Sequence, residues 1–171
     1  GEVRLAGVRQ DHVAPILGVL RDLGCTIAPE GDLLVIRRSG RLHPVRVETS
    51  PFPGFPTDMQ AQVMAAAALA DGVSVITDTI YPDRFTHAAE LTRLGARLEV
   101  HGGTATVTGT DRLTGAPVMA TDLRASAALV LAGIAAHGRT EVRRVYHIDR
   151  GYERIEQRLA ALGARITRVR D

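Results

Sequence analysis

The chain predicts an α/β (α+β) fold made of three related units, each a helix, a strand, a helix and a hairpin. Three observations carry that reading. A helix-ending Leu-Gly pair recurs in Arg21-Asp22-Leu23-Gly24-Cys25, Thr92-Arg93-Leu94-Gly95-Ala96 and Ala160-Ala161-Leu162-Gly163-Ala164. A helix-opening Thr-Asp recurs in Pro56-Thr57-Asp58 and Ala120-Thr121-Asp122. Between these markers, stretches of helix and strand character follow in the same order. Set side by side, such units of parallel helices and small mixed sheets would close around a pseudo-threefold axis, each burying a face on the next. The units span approximately residues 1–50, 51–116 and 117–171. The first lacks its first helix and the third lacks the end of its hairpin. The chain therefore reads as one nearly complete domain cut from a longer protein.

The elements are expected as follows. Val3 to Gly7 is a strand, and Asp11 to Leu23 a helix stopped by Gly24. Strands Cys25 to Pro29 and Leu33 to Arg37 flank the Glu30-Gly31-Asp32 turn, and Val45 to Glu48 is a further short strand. After the Pro/Gly loop Pro51 to Pro56, Thr57 caps a helix that runs from Asp58 to about Ala70. Gln60, three residues past Thr57, completes a capping box. Val73 to Ile80 is a strand. Pro82-Asp83 opens a helix that Gly95 ends, and Arg97 to His101 with Thr104 to Thr108 form a hairpin around Gly102-Gly103. Thr121-Asp122 opens a helix to about Ala136, and Arg139 to Val145 is a strand. Asp149 opens the last helix, and Ile166 to Val169 is the final strand.

Composition narrows the function. No apolar run approaches the roughly 18 residues of a membrane span, and the start of the chain has no signal-peptide character. A single cysteine, Cys25, excludes an internal disulfide and fits a reducing compartment, so the expected location is cytoplasmic. Cys25 follows a helix stop in apolar company and reads as a buried structural thiol. All 21 basic residues are Arg and are spread along the chain; with no Trp and 4% aromatic residues, nucleic-acid binding is not expected. The histidines have no metal-ligand spacing, and no metal or cofactor is expected. His12, His43, His87, His101 and His137 read as surface or packing residues, and His147 as a residue that orients Asp149.

Three arginines stand where the helix dipole disfavours them. Arg84 follows Asp83, Arg124 follows the Thr121 cap, and Arg150 follows Asp149, each at an expected helix start. A cation in the first turn costs about 0.3–1 kcal/mol. If equivalent helices run parallel, these starts gather at one end as an anion pocket, with Asp58 on its rim and Asp122 at the equivalent place one unit on. Guanidinium forks suit carboxylate or phosphate, so an acidic phosphorylated small molecule is the implied ligand.

The runs Pro56-Thr57-Asp58-Met59-Gln60-Ala61-Gln62, Asp83-Arg84-Phe85, Ala120-Thr121-Asp122-Leu123-Arg124-Ala125-Ser126-Ala127 and Tyr146-His147-Ile148-Asp149-Arg150-Gly151-Tyr152-Glu153-Arg154-Ile155 resemble the UDP-N-acetylglucosamine 1-carboxyvinyltransferase family of enolpyruvyl transferases. The resemblance implies an inside-out α/β barrel domain, with helices inside, and a second, similar domain that this chain lacks. It implies transfer of the enolpyruvyl group of phosphoenolpyruvate to the 3′-hydroxyl of UDP-N-acetylglucosamine, a step of peptidoglycan synthesis. By motif, Asp58 is the general base that binds the sugar hydroxyl. Arg84 and Arg150 hold the carboxylate and phosphate of phosphoenolpyruvate, Arg124 and Asp122 line the same pocket, and Ile80 and Tyr81 pack near the nucleotide-sugar. Tyr81 stands where the family usually has Phe. The family's reactive cysteine, a lysine and further arginines belong to the other domain, and Cys25 does not replace that cysteine. The chain alone is therefore expected to be inactive. The alternatives are the sister type acting on shikimate 3-phosphate, a non-catalytic domain of the same fold, and an RNA-end-modifying relative.

Overall fold

The computed structural model describes residues 1–169. Three small sheets form. The first is antiparallel, in the order β1-β3-β2, from β1 (Glu2–Ala6), β2 (Thr26–Glu30) and β3 (Leu33–Arg37). Helix α1 (Ala14–Asp22) connects β1 to β2. The second sheet is mixed, in the order β4-β5-β7-β6. Strand β4 (Arg46–Glu48) runs parallel to β5 (Val73–Thr77), with α2 (Gln60–Ala67) in the crossover. After α3 (His87–Arg93), the hairpin β6 (Arg97–His101) and β7 (Thr104–Thr108) completes it antiparallel. The third sheet is a parallel pair, β8 (Pro117–Met119) and β9 (Glu141–Arg143), joined through α4 (Leu123–Ala135). Helix α5 (Ile155–Ala161) follows. The order β1–α1–β2–β3 thus recurs as β5–α3–β6–β7, and the crossover β4–α2–β5 recurs as β8–α4–β9.

The recurring glycines have one physical cause. Gly24, Gly95 and Gly163 all take positive φ, at 90°, 91° and 95°. Each follows a helix, and the next residue's N–H returns to the last turn: Cys25 to Leu20, Ala96 to Leu91 and Ala164 to Leu159. These are Schellman caps, which need a residue without a Cβ at the left-handed position.

Helices α2 and α4 lie inside, whereas α1 buries only Leu17 and α5 no residue fully. In α2, Gln60, Ala61, Gln62, Val63, Met64, Ala65 and Ala67 are all buried, so this helix has no solvent face. It packs on α4, whose Ala128, Leu129 and Ala132 share its buried cluster. Strand β7 instead alternates, with Ala105 and Val107 buried and Thr106 and Thr108 exposed. The arrangement is inside-out as expected, but among the described residues the sheets remain separate and no closed barrel forms.

Several expected elements are shorter. Strand β5 stops at Thr77, because the Asp78 carboxylate takes the N–H groups of Ile80 and Tyr81 and turns the chain. The helix expected from Pro82 therefore starts only at His87. A 3₁₀ turn occupies Gln10–His12, so α1 begins at Ala14. The helix expected from Asp149 is replaced by a 3₁₀ segment, Val145–Arg150, and α5 begins at Ile155. Left-handed Arg144 (φ 59°) and Arg154 (φ 46°) break the chain on either side of that segment. Residues 166–169 form no strand, since no neighbouring strand pairs with them. Cys25 is half-buried rather than buried. No helix among the described residues is long and apolar enough to cross a membrane.

Candidate active site

The chain leaving the C-terminal end of each of β4, β5 and β8 delivers a charged residue to one cluster. From β4 comes Asp58, from β5 Arg84, and from β8 the start of α4 with Asp122 and Arg124. Asp58 Oδ1 accepts from Arg124 Nε at 2.7 Å and lies 2.5 Å from Arg124 Nη2. The same oxygen accepts from Arg84 Nη1 at 3.4 Å. Asp58 Oδ2 has no partner among the described residues, and the Asp58 side chain is 61% exposed, so this oxygen is open to solvent. The Arg84 and Arg124 side chains are 21% and 32% exposed, each held with one side toward water.

The local folding differs from the expected capping. Thr57 does not cap α2, and no capping box forms. Thr57–Met59 is a 3₁₀ turn ahead of α2, Gln60 is fully buried, and Thr57 Oγ1 donates instead to Asp78 Oδ2 at 2.6 Å. The cap of α4 is Asp122 rather than Thr121: Asp122 Oδ1 accepts from the N–H groups of Arg124 and Ala125 at 2.8 and 3.0 Å. Burial raises the Asp122 carboxyl, but those two N–H groups, the Thr86 hydroxyl and nearby His87 outweigh it and hold the carboxyl below its usual value. Replacing Asp122 by Ala should cost about 1 kcal/mol of stability, the usual worth of an N-cap. Urea denaturation measures it; a variant as stable as the wild type would show that the cap carries no weight.

Of the three arginines, only Arg124 opposes a helix dipole, since Arg84 sits in a turn before α3 and Arg150 ends a 3₁₀ segment. Arg84 instead lies over the Tyr81 ring, 3.9 Å from its centroid. Arg150 does not join the cluster: it is exposed and makes no hydrogen bond or ion pair among the described residues. Its place in the topology matches that of Arg84. Arg84 stands seven residues past Thr77, the last of β5, and Arg150 seven past Arg143, the last of β9. Ile80 is half-buried and Tyr81 exposed on the turn beside Arg84. His147 does not orient Asp149, which is held by Arg168 at 2.7 and 2.5 Å.

One residue, Asp78, was overlooked in the sequence. Asp78, 1% exposed, ties β4, β5 and the Thr57 turn together. Its signal was alternation: Ser74, Ile76 and Asp78 share the inward face of β5, where a charge is out of place. His87, 1% exposed, packs 6.1 Å from Phe85 and beside Asp122. Among the described residues no cluster of His, Cys, Asp and Glu could hold a metal ion.

A family model described as EPSP synthase (3-phosphoshikimate 1-carboxyvinyltransferase) matches residues 1–159. Proteins named UDP-N-acetylglucosamine 1-carboxyvinyltransferase from Ruegeria pomeroyi and Gluconacetobacter diazotrophicus are 58% and 54% identical to this chain, over 99% and 100% of it. Each match covers 41% of the relative, so the chain spans about two fifths of the length of the curated relatives it matches. The solved structure of the enolpyruvyl transferase NikO from Streptomyces tendae aligns with 95% of this chain and 39% of its own, with a TM-score of 0.84 and 31% identity. An EPSP synthase structure from Acinetobacter baumannii shares the fold, with a TM-score of 0.64 at 21% identity over 83% of this chain and 34% of its own.

Proposed function

This chain belongs to the enolpyruvyl transferase family, and from that premise we propose that it forms part of an enzyme moving the enolpyruvyl group of phosphoenolpyruvate onto the 3′-hydroxyl of UDP-N-acetylglucosamine. The observation that carries the reading is a carboxylate with one oxygen held between two guanidiniums and the other free, beside an exposed turn. A sugar hydroxyl donates to Asp58 Oδ2 and gives up its proton there as its oxygen bonds to C2 of phosphoenolpyruvate. C3 takes a proton from an acid outside this chain, which leaves a tetrahedral intermediate. Loss of a C3 proton and of phosphate then restores the double bond. Arg84 and Arg150 neutralise the carboxylate and phosphate, Arg124 fixes Asp58, Asp122 closes the pocket wall, and Ile80 and Tyr81 face the nucleotide-sugar. The remaining length of the relatives supplies the other half of the cleft, and the reaction belongs to cytoplasmic cell-wall precursor synthesis.

The test is phosphate release by the whole protein that carries this chain. With phosphoenolpyruvate it should turn over UDP-N-acetylglucosamine and leave shikimate 3-phosphate untouched, and the chain alone should release nothing. Turnover of shikimate 3-phosphate in place of the nucleotide-sugar would overturn the substrate, and turnover by the isolated chain would overturn the need for the second half. Steep, salt-dependent RNA binding would point to the RNA-modifying alternative.

A further inference from the structure

We propose that Asp78, buried behind the site and away from the ligand, is a positioning residue that aims Arg84 through the Thr57 hydroxyl. The inference rests on the site reading above and adds a residue that neither the motifs nor that reading uses.

The Asp78 carboxylate accepts four hydrogen bonds. Oδ1 takes Thr49 Oγ1 at 2.8 Å, Ile80 N at 3.0 Å and Tyr81 N at 2.8 Å. Oδ2 takes Thr57 Oγ1 at 2.6 Å. Its own N–H donates to the Gly103 carbonyl at 2.8 Å, which anchors it to the β6–β7 turn. A buried charge must be satisfied in this way to persist. Burial pushes the Asp78 carboxyl up, but the bonds from Thr57, Tyr81, Thr49 and Ile80 outweigh it and keep the group below the usual carboxylate value. Asp78 therefore acts only as an acceptor.

That fixes the direction of the next bond. Thr57 has one hydroxyl proton, and it points at Asp78. The lone pairs of Thr57 Oγ1 are left for Arg84 Nη1, which donates to it at 3.0 Å. A second arm reaches the same guanidinium. Asp78 holds the Tyr81 backbone, and the Tyr81 ring lies beneath Arg84. One carboxylate thus sets both the in-plane bond and the stacking face of the arginine.

Asp78→Asn is nearly isosteric but reverses this polarity. If the amide NH₂ takes the place of Oδ2, it donates to Thr57 Oγ1, whose proton must then leave position 78, and the hydroxyl that faces Arg84 loses the charged acceptor that oriented and polarised it. If the amide flips, its NH₂ faces the N–H groups of Ile80 and Tyr81. Either way the bond that aims Arg84 is weakened or its platform is displaced, worth about 10- to 100-fold in affinity for the anion it holds. Thr57→Val removes the hydroxyl without touching the bonds Asp78 makes to the backbone, and Thr57→Ser restores it.

The experiment reads two quantities. In the whole protein, Asp78→Asn and Thr57→Val should each raise KM for phosphoenolpyruvate about 10-fold or more with a smaller change in kcat. Thr57→Ser should stay within about twofold of wild type, and the double variant should be no worse than Asp78→Asn alone. In the chain labelled with ¹⁵N-arginine, the Arg84 guanidinium signals should show restricted rotation in wild type and Thr57→Ser, and free rotation in Asp78→Asn and Thr57→Val. Should Asp78→Asn not fold, the Thr57→Val and Thr57→Ser pair decides the matter by itself. Unchanged Arg84 signals in Thr57→Val, or losses that simply add in the double variant, overturn the proposal. A whole protein that never turns over phosphoenolpyruvate overturns the proposed reaction instead, and the Arg84 signals still decide the role of Asp78.

Discussion

Asp58→Asn should lower kcat of the whole protein by about 10²–10⁴-fold, the usual contribution of a positioned general base. Asn keeps the shape of the side chain and an oxygen for Arg124, but its NH₂ cannot accept a proton from the sugar hydroxyl. The fold should hardly notice. Asp58 is mostly exposed, and exposed ion pairs contribute about 0–1 kcal/mol. KM for phosphoenolpyruvate should move little, because Arg84 keeps its bond to Thr57. Steady-state phosphate release and a thermal melt on the same preparation separate the two effects. A variant within about threefold of wild-type turnover would remove Asp58 from the chemistry, and the site would then be a binding surface only.

Acid should destabilise the chain through His87 before the lowered carboxylates of Asp78 and Asp122 titrate. Burial drives its imidazole down from 6.5 to about 4, and the charge of Asp122 only partly opposes this. Its Nε2 is buried with no hydrogen-bond partner among the described residues, so no acceptor holds a proton there. The folded value lies below the unfolded one, so the unfolded chain binds the proton more tightly. The His87 contribution is fully present above pH 6.5 and is lost progressively as pH falls from 6.5 to about 4. The loss across that window is about 3 kcal/mol, from 1.36 kcal/mol per unit. Asp78 and Asp122 act lower down. Their folded values are depressed, so their stabilisation is present above 3.8 and is lost as pH falls through their folded values. Urea denaturation of wild type and His87→Gln between pH 7.5 and 4.5 tests this. The wild-type curve should fall more steeply, and parallel curves would show that His87 is not titrating in the folded core.

Asp58 and Arg124 were legible because each belongs to a long motif, and their meeting follows from two crossovers that start at neighbouring strand ends. Arg124 does stand in the first turn of a helix, whereas Arg84 and Arg150 do not. In each of those cases the helix starts late, because a local bond or a left-handed residue captures the chain first. Asp78 is the clearest example. Its side chain competes for the Ile80 and Tyr81 N–H groups, ends β5 early, delays α3 and takes the Thr57 hydroxyl that local pattern assigns to a helix cap. Propensity rules score contacts within a few residues, whereas the Thr57–Asp78 bond spans 21 positions.

The residues themselves set the unit. Leu-Gly pairs demand left-handed caps, an apolar helix such as α2 has nowhere to go but inside, and alternating strands such as β7 must present one face to water. Those are local consequences of chain geometry and hydrophobicity, so order, handedness and the buried faces follow from reading along the chain. Which side chains share a rim does not. The pairing of Asp58 with Arg84 and Arg124, the exclusion of Arg150 from that cluster and the burial of Asp78 behind it depend on how β4, β5 and β8 sit relative to one another. That spacing comes from packing α2 against α4, a contact made across distant parts of the sequence, and no local pattern records it.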